Sequence, residues 1–479
     1  MKNGKRISAF CDDILAGMDA VEISRKIASG DIKASEAVGA AISRAEKVNP
    51  HLNAIVVDTF DDALADAGNP RSGLFHGVPS FIKDNDDVKG VPTRQGSRAV
   101  SPKLATESSA FVQQFLSTGL IPLGKTSMPE FGLTATTEPL SSGPTRNPWN
   151  TDFSTGGSSG GSAALVAAGV VPIAHGNDGG GSIRIPAACC GLVGLKPSRD
   201  RLVNHEAAKF LPLNIVHQGV LTRTVRDTAY FFYAAEQFYK NPRLPEIGFV
   251  QHPGQKRLKI GLYTDSPFHE ACDPEISEGV YSMARTCEDL GHTVEEITSP
   301  ITRQMGDDFI VYWGMIAFMM KWPGGLMLGK SFDRSKVEPL TSGLSRHFIK
   351  KSYRLPFMPF VMMRFARLYH EILGDYDVLL SPVLGHEPPA IGVMGPDVPF
   401  ELSLERLEKF VPFTPAQNVL GTPAISLPTG QQTANGLPVA IQFAAANGRE
   451  STLLELAYEM EEARPWPFIG DKTPGQSSG

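Results

Sequence analysis

Hydrophobic and polar positions change their period along the chain, and each period predicts one type of element. Near the N-terminus, apolar residues recur at helical spacing over 19–48, and Gly30 divides this stretch into two amphipathic helices. Ser35 is the N-cap that we expect for the second helix, and Asn49 with Pro50 is expected to end it.

Short apolar runs and helical patterns alternate over the rest of the chain. Strands are predicted at 77–82, 120–124, 170–174, 258–263, 377–381 and 423–427. Helices are predicted at 108–118, 162–168, 274–290 and 451–462. This alternation favours an α/β fold with crossover helices. No internal repeat and no linker interrupts the sequence, so we expect residues 1–479 to form a single domain.

The region 300–375 is rich in Met, Phe, Trp and Tyr. We expect it to be an insertion that forms a wall around a substrate, although a plain hydrophobic core would have the same composition. Its most apolar stretch is 309–320, whereas a membrane-spanning helix needs about 20 residues, so no membrane span is predicted.

Composition then narrows the class of protein. Hydrophobic residues make up 42% and charged residues 20%, which is typical of a soluble globular protein. The formal charge of -6 argues against nucleic acid as a partner, because a polyanion is usually bound by a basic surface. The five cysteines form no CxxC pair, so we expect no metal site, no disulfide framework and a cytoplasmic location.

Two glycine- and serine-rich segments are the strongest chemical signals. They read GGSSGGS at 156–162 and GNDGGGSIR at 176–184. Neither completes a phosphate-binding P-loop or a dinucleotide fingerprint, because the required lysine and the third glycine are missing. The pattern GxSxG occurs twice and would make Ser158 or Ser159 the nucleophile of an α/β-hydrolase-type esterase. That interpretation needs a histidine partner, and none of the eleven histidines lies in a motif that identifies it as that partner.

A lysine at the end of an apolar run adds a candidate base. Lys83 follows a strand-like stretch in the segment FIKDN at 81–85. Burial would lower the pKa of its amine, which would let the neutral form accept a proton. A lone lysine is more often a surface residue, so this inference depends on the glycine-serine segments lying beside it. Asp84 is expected to point away from the amine, because its carboxylate would oppose the lowered pKa.

These segments and several others together resemble the amidase signature family. The motifs HGVP at 76–79, GLKPS at 194–198, TPAISLP at 422–428 and GLPV at 436–439 occur in the family's order. The resemblance covers about 20–466, with the signature core at about 74–200. It implies one large α/β domain, with a mixed central sheet covered by helices on both faces. It also implies hydrolysis of amide bonds without a metal or cofactor.

Carried over to this chain, the resemblance implies a triad of two serines and a lysine. Ser182 corresponds to the nucleophile and Lys83 to the base, and Ser158 corresponds to a bridging serine whose peptide bond with Gly157 would be cis. Protons would pass from Ser182 to Ser158 and on to neutral Lys83. Such a relay requires no histidine.

Other residues are expected to assist the triad. The backbone N–H groups of Gly179, Gly180, Gly181 and Ser182 would stabilise an oxyanion, and one such donor is typically worth about 3–4 kcal/mol in the transition state. The supporting residues that we expect are Ser159, beside the base, and Asp178 and Arg184, which would brace the loop.

Three positions depart from the patterns that the family often shows. Asn177 stands where Thr or Ser is common, and Gly179 replaces a larger residue, as in some nylon-oligomer-type members. Ile185 replaces a glutamine of tRNA-dependent amidotransferase subunits, which favours a stand-alone amidase.

The substrate wall is expected to come from 128–133, 305–330 and 411–420. The candidate pocket residues are Phe131, Leu133, Met315 and Trp322. Their apolar character favours aryl or apolar amides, and carbamates (urethanes) or amide oligomers remain open as small-molecule substrates. A homodimer also remains open. The alternatives are the elbow-type esterase and a non-catalytic subunit that retains the amidase fold.

Overall fold

Two β-sheets organise the part of the chain that the computed structural model describes, residues 4–470 apart from 206, 207, 209, 210, 267, 269–271 and 330. The strands are β1 (Ile55–Asp58), β2 (Pro79–Lys83), β3 (Ile121–Thr126), β4 (Ile173–Asp178), β5 (Val193–Lys196), β6 (His217–Thr222), β7 (Lys259–Leu262), β8 (Thr293–Glu296), β9 (Val378–Pro382), β10 (Ala424–Gln432) and β11 (Pro438–Ala445).

The α-helices precede, separate and follow these strands. They are α1 (Ala20–Ser29), α2 (Ala34–Leu52), α3 (Phe60–Ala67), α4 (Ala110–Ser117), α5 (Gly160–Ala167), α6 (Arg184–Cys190), α7 (Val225–Phe238), α8 (Pro274–Asp289), α9 (Arg303–Lys321), α10 (Gly324–Met327), α11 (Pro339–Lys351), α12 (Met358–Asp375), α13 (Phe400–Phe410), α14 (Pro415–Leu420) and α15 (Glu450–Ala463).

The larger sheet is mixed. Among the described residues it has eight strands in the order β4-β6-β5-β10-β11-β9-β7-β8. The pairs β9–β7 and β7–β8 are parallel, and the other neighbours are antiparallel. The smaller sheet has the order β1-β3-β2, with β1 antiparallel and β2 parallel to β3.

The smaller sheet lies against the edge strand of the larger one. The hydroxyl of Ser80 in β2 donates to the carbonyl of Ile173 in β4 at 2.8 Å. The backbone N–H of Lys83, three residues further along β2, donates to the ring of His175 in β4 at 3.2 Å. These contacts bring the end of β2 beside the loop that follows β4.

Helices cover both faces of the larger sheet. Arg184 of α6 donates to the side chain of Gln442 in β11 at 3.0 Å, so α6 lies on the face to which Gln442 points. In α8, a Cβ atom at Gly279 would lie 2.5 Å from Cγ1 of Val439. Val439 and Gln442 are three residues apart in one strand and point to opposite faces, so α6 and α8 cover different faces. The fold is the predicted mixed α/β domain.

The predicted strands and helices are present with shifted bounds. The strand β4 is displaced along the chain, since it spans Ile173–Asp178 although its apolar run begins at 170. The last three residues of β4 belong to the glycine-containing segment 176–184, whose polar character hides a strand that is buried along almost its whole length.

Two details of the N-terminal helices were predicted wrongly. Ser35 lies inside α2 and Lys33 is the N-cap, because the Glu36 carboxylate accepts the Lys33 N–H at 2.7 Å and starts the helix earlier. Pro50 also lies inside α2, which continues to Leu52. A proline in the last turn removes one hydrogen bond without stopping the helix at that residue.

The helices between β8 and β9 supply most of a second hydrophobic cluster, which also includes Leu133 and Ile215. Its buried members on α9, α11 and α12 are Val311, Tyr312, Met315, Ile316, Ala317, Leu344, Phe348 and Met358. The apolar stretch 309–320 lies within α9. In the part of the chain that the structure describes, no helix is long and apolar enough to cross a bilayer.

Candidate active site

The end of β2 places the amine of Lys83 among three polar side chains. Its Nζ lies 2.7 Å from Oγ of Ser158, 3.0 Å from Oγ of Ser159 and 2.5 Å from Oδ1 of Asn177. The side chain is fully buried, as the apolar run before it predicts. The structure therefore brings the predicted base into contact with the predicted bridging serine.

Burial controls the protonation of this amine. It lowers the pKa of Lys83 to about 7, although the carboxylates of Asp178 and Asp86 favour the charged form. Asp84 points away as predicted, since its carboxylate lies 3.4 Å from the amine of Lys125. A substantial fraction of Lys83 is therefore neutral near neutral pH.

A buried chain of hydrogen bonds fixes the backbone of Lys83. Its N–H donates to Nδ1 of His175, so Nε2 must carry the ring proton and donate to Oε1 of Gln218, 3.0 Å away. The Gln218 amide in turn donates to the Asp86 carboxylate at 3.0 Å. Burial lowers the pKa of His175 to about 4, which keeps the ring neutral and this orientation constant.

The first glycine-serine segment forms a turn that leads into α5. The peptide bond between Gly157 and Ser158 is cis, as the resemblance predicts. Ser159 precedes α5, and its hydroxyl lies 3.3 Å from the carbonyl of Asn177. Lys83 contacts the hydroxyls of both serines, and no histidine among the described residues does so. This geometry contradicts the elbow-type esterase.

The second segment is a glycine loop braced by an ion pair. The guanidinium of Arg184 contacts the Asp178 carboxylate at 3.0 Å and 3.1 Å, and both side chains are fully buried. Burial opposes ionisation of Asp178, but Arg184 holds the pKa of its carboxyl well below the usual range. Asn418 donates to the same carboxylate, and Thr414 donates to the carbonyl of Gly180. The predicted supporting residues Asp178 and Arg184 therefore hold the loop in place, together with Asn418 of α14 and Thr414 before it.

The structure corrects one predicted oxyanion donor. The N–H of Gly181 donates to the Asp178 carboxylate at 2.7 Å, so it does not face the substrate. No hydrogen bond from the N–H groups of Gly179, Gly180 or Ser182 is formed within the described ranges. These three groups remain as candidate donors to a developing negative charge.

Close neighbours leave little space for a side chain at Gly180 and Gly181, whereas Gly179 is less restricted. Gly181 has φ +128°, and a Cβ there would lie 2.3 Å from Oγ1 of Thr414. A Cβ at Gly180 would lie 3.0 Å from the ring of Phe309, and one at Gly179 would lie 3.4 Å from the ring of Trp313. The two rings are stacked with centroids 5.5 Å apart, so α9 covers the loop with an aromatic surface.

Two cavities within the described part of the chain meet at Ser182. We name the first the apolar cavity; its lining includes Met305, Phe309, Leu344, Phe365, Val411 and Val419. We name the second the mixed cavity; its lining includes Asn85, Gln95, Phe131, Ser158, Asn177, His205 and Met319. Gly132, Leu133, Trp313 and Ser182 border both.

Two of the four candidate pocket residues do not line either cavity. Phe131 lines the mixed cavity and Leu133 lines both cavities. Met315 packs inside the helical cluster, and Trp322 at the end of α9 is 48% exposed, with the Arg334 guanidinium 5.1 Å from its ring centroid. Both were placed on the wrong side of α9, because composition does not reveal which face of a helix meets a cavity.

Residues that the sequence analysis missed stand on the opposite face of the same helix. Phe309, Trp313, Ile316 and Met320 line the cavities and recur every three or four residues. This helical period was the available signal. Asn177 was noted only as a departure from the family, because its contact with Lys83 depends on how β4 lies beside β2.

Comparisons with known proteins agree with the fold. The family model Amidase matches residues 36–454. A putative amidase AmiC of Mycobacterium leprae is 48% identical, over 97% of this chain and 99% of that protein. The structure of a 6-aminohexanoate cyclic dimer hydrolase in complex with its substrate has a TM-score of 0.84 and 30% identity, covering 95% of this chain and 98% of the other. A bacterial aryl acylamidase has a TM-score of 0.81 and 26% identity, covering 94% and 97%.

Proposed function

The chain belongs to the amidase family, and on this premise we propose that Lys83, Ser158 and Ser182 are the catalytic residues of an amide hydrolase that works through an acyl-enzyme. The observation that carries the proposal is the buried amine of Lys83, whose contacts suit a neutral base.

The three partners of Lys83 match the bonding capacity of a neutral amine. Such an amine has two N–H groups and one lone pair. The carbonyl oxygen of Asn177 can only accept, so it takes one N–H, and Ser159 accepts the other. The lone pair then faces the hydroxyl of Ser158 at 2.7 Å, where it can accept the proton of that hydroxyl.

The proposed reaction proceeds in two stages. Lys83 accepts the proton of Ser158, which accepts the proton of Ser182 as its Oγ attacks the substrate carbonyl. The N–H groups of Gly179, Gly180 and Ser182 stabilise the oxyanion. The C–N bond breaks as Ser158 returns a proton to the leaving amine, and Lys83 reprotonates Ser158. Water then attacks the ester by the same relay, which releases the acid and regenerates Ser182.

We propose that the two cavities hold the two halves of the substrate. Ser158 borders the mixed cavity and not the apolar one, so the amine that receives its proton lies in the mixed cavity. The acyl group then lies in the apolar cavity, beside Met305 and Phe365. We therefore propose aryl or apolar amides with an N-substituent as substrates. Aryl carbamates and amide oligomers fit the same chemistry, because they pass through the same tetrahedral intermediate.

A panel of anilides with acyl chains of increasing length tests this assignment. Burial of one methylene is worth about 0.8 kcal/mol, so kcat/KM should rise about fourfold per added methylene until the apolar cavity is filled. Acetamide, glutamine and an aryl carbamate complete the panel, and Ser182→Ala is the control for background hydrolysis. Preference for acetamide or glutamine would contradict the proposed pocket. If the wild type cleaved no member of the panel, the non-catalytic subunit would be favoured.

A further inference from the structure

The end of α11, the turn that follows it and one face of α12 expose large apolar side chains to solvent. The α12 face, as we name it, consists of Ile349, Tyr353, Phe357, Phe360, Met363 and Leu368. Phe360 is 67% exposed, and Tyr353 and Phe357 are each 65% exposed. Single exposed apolar residues are common on protein surfaces, but a contiguous group of aromatic and aliphatic side chains marks an interaction site.

The stretch of chain that carries this face is basic, and its acidic neighbours are Glu371 and, beside Arg346 and Lys350, the side chains of Glu401, Glu405 and Glu408. Residues 340–370 contain no Asp or Glu, although the chain as a whole has a formal charge of -6. The basic residues in this stretch are Arg346, Lys350, Lys351, Arg354, Arg364 and Arg367. Arg364 and Arg367 are exposed on α12 itself, between Phe360 and Leu368. Arg354 pairs with Asp308 and Arg367 with Glu371, and the others form no ion pair with the described residues.

The same helix reaches the substrate cavity with its other face. Phe365 is buried and lines the apolar cavity, which contains Ser182. Five residues earlier, Phe360 points to solvent. A body docked on the α12 face would therefore lie one helix diameter from the apolar cavity, about 10 Å.

We propose that the α12 face docks on the surface of a membrane that contains anionic lipids. Aromatic and aliphatic side chains would enter the boundary between headgroups and acyl chains, while the arginines bind the lipid phosphates. Arginines next to buried apolar groups can extend to the headgroups, because their stems are apolar. A second copy of the chain fits less well, since a symmetric contact through this face would place basic residues opposite basic residues.

Vesicle sedimentation tests the proposal without any measurement of turnover. Full-length protein is mixed with vesicles of phosphatidylcholine alone or with added phosphatidylglycerol. We expect binding to the anionic vesicles only, weakening as salt is added. Arg364→Glu with Arg367→Glu should weaken binding at least twentyfold, because each basic residue near an anionic surface contributes about fivefold. Phe357→Ser with Phe360→Ser should weaken it at least tenfold, since two buried aromatic side chains are lost.

Matched controls are available elsewhere on the surface. Leu104 is 62% exposed, and Arg285 is exposed and paired with Glu278 as Arg367 is paired with Glu371. Leu104→Ser and Arg285→Glu should bind the vesicles like the wild type, and unchanged thermal unfolding shows that every variant is folded. Failure of the wild type to bind anionic vesicles overturns the proposal, as does equal binding by the α12 variants and the wild type. A wild-type dimer that the Phe357→Ser and Phe360→Ser variant dissociates, with no vesicle binding, would instead assign the face to a second copy.

Discussion

Replacing Asn177 by aspartate should move the pH profile of hydrolysis without removing the activity. Oδ1 of Asn177 lies 2.5 Å from the amine of Lys83, so the variant places a negative charge directly beside it. An opposite charge at such a distance raises a lysine pKa by about 1–3 units. Since burial holds the pKa of Lys83 at about 7 in the wild type, we expect the pKa of Lys83 in the variant to lie between about 8 and 10.

The size of the effect follows from the fraction of neutral amine. With a pKa of about 7, roughly half of Lys83 is neutral at about pH 7, and with a pKa of about 9 only about one part in a hundred is neutral. Activity of Asn177→Asp should therefore fall about 50-fold at about pH 7 and recover to within about twofold of the wild type near pH 10. Because the neutral form is the base, kcat/KM rises with pH in both proteins, and the rise is displaced to higher pH in the variant.

The assay is kcat/KM for a chromogenic anilide between about pH 6 and pH 10. Asn177→Ser is the matched control, because it removes the carboxamide without adding a charge, and its profile should move by less than about one unit. Lys83→Arg should be inactive at every pH, since a guanidinium stays protonated. A uniform loss in Asn177→Asp at all pH values, or near-normal activity of Lys83→Arg, would refute Lys83 as a neutral base.

Three further predictions concern the nucleophile, the loop and the wall. Ser182→Ala should lower turnover by several orders of magnitude, and a serine-reactive fluorophosphonate should label Ser182 in the wild type; labelling of another serine would require a different nucleophile. Asp178→Asn should lower the free energy of unfolding by about 3–5 kcal/mol in a denaturant titration, because it leaves Arg184 charged and buried without an anion. A change below about 1 kcal/mol would show that the ion pair is dispensable. Trp313→Ala should change the ratio of kcat/KM between long-chain and short-chain anilides at least tenfold, because Trp313 lines both cavities. Trp322→Ala should leave this ratio unchanged, and equal effects of the two variants would contradict the assigned face of α9.

The elements that hold Lys83, Ser158 and Ser182 could be predicted from local patterns. An apolar run ending in lysine predicts a buried strand end, and the glycines predict tight turns beside it. The order of motifs along the chain then indicated the family, and with it the fold, because the resemblance extends over nearly the whole length.

Contacts between distant segments could not be predicted in this way. The brace from Asn418 to Asp178 joins positions 240 residues apart, and the sequence contains no period that links them. The N–H of Gly181 was predicted to face the substrate, but the conformation of the loop turns it to the Asp178 carboxylate. Hydrogen-bond direction depends on φ and ψ at each residue, which a run of glycines leaves unrestricted.

The second hydrophobic cluster, most of which lies on α9, α11 and α12, separates the residues that select the substrate from those that perform the chemistry. The sheet with its own core carries the acid–base groups, while α9 supplies Phe309 and Trp313 to the substrate. Substitutions on that face of α9 would change the packing of the second cluster before that of the strands that hold Lys83. A combinatorial library restricted to positions 309, 313, 316 and 320 should therefore yield folded enzymes with altered selectivity at high frequency. The same separation would let natural lineages diversify their substrates while the chemistry stayed constant.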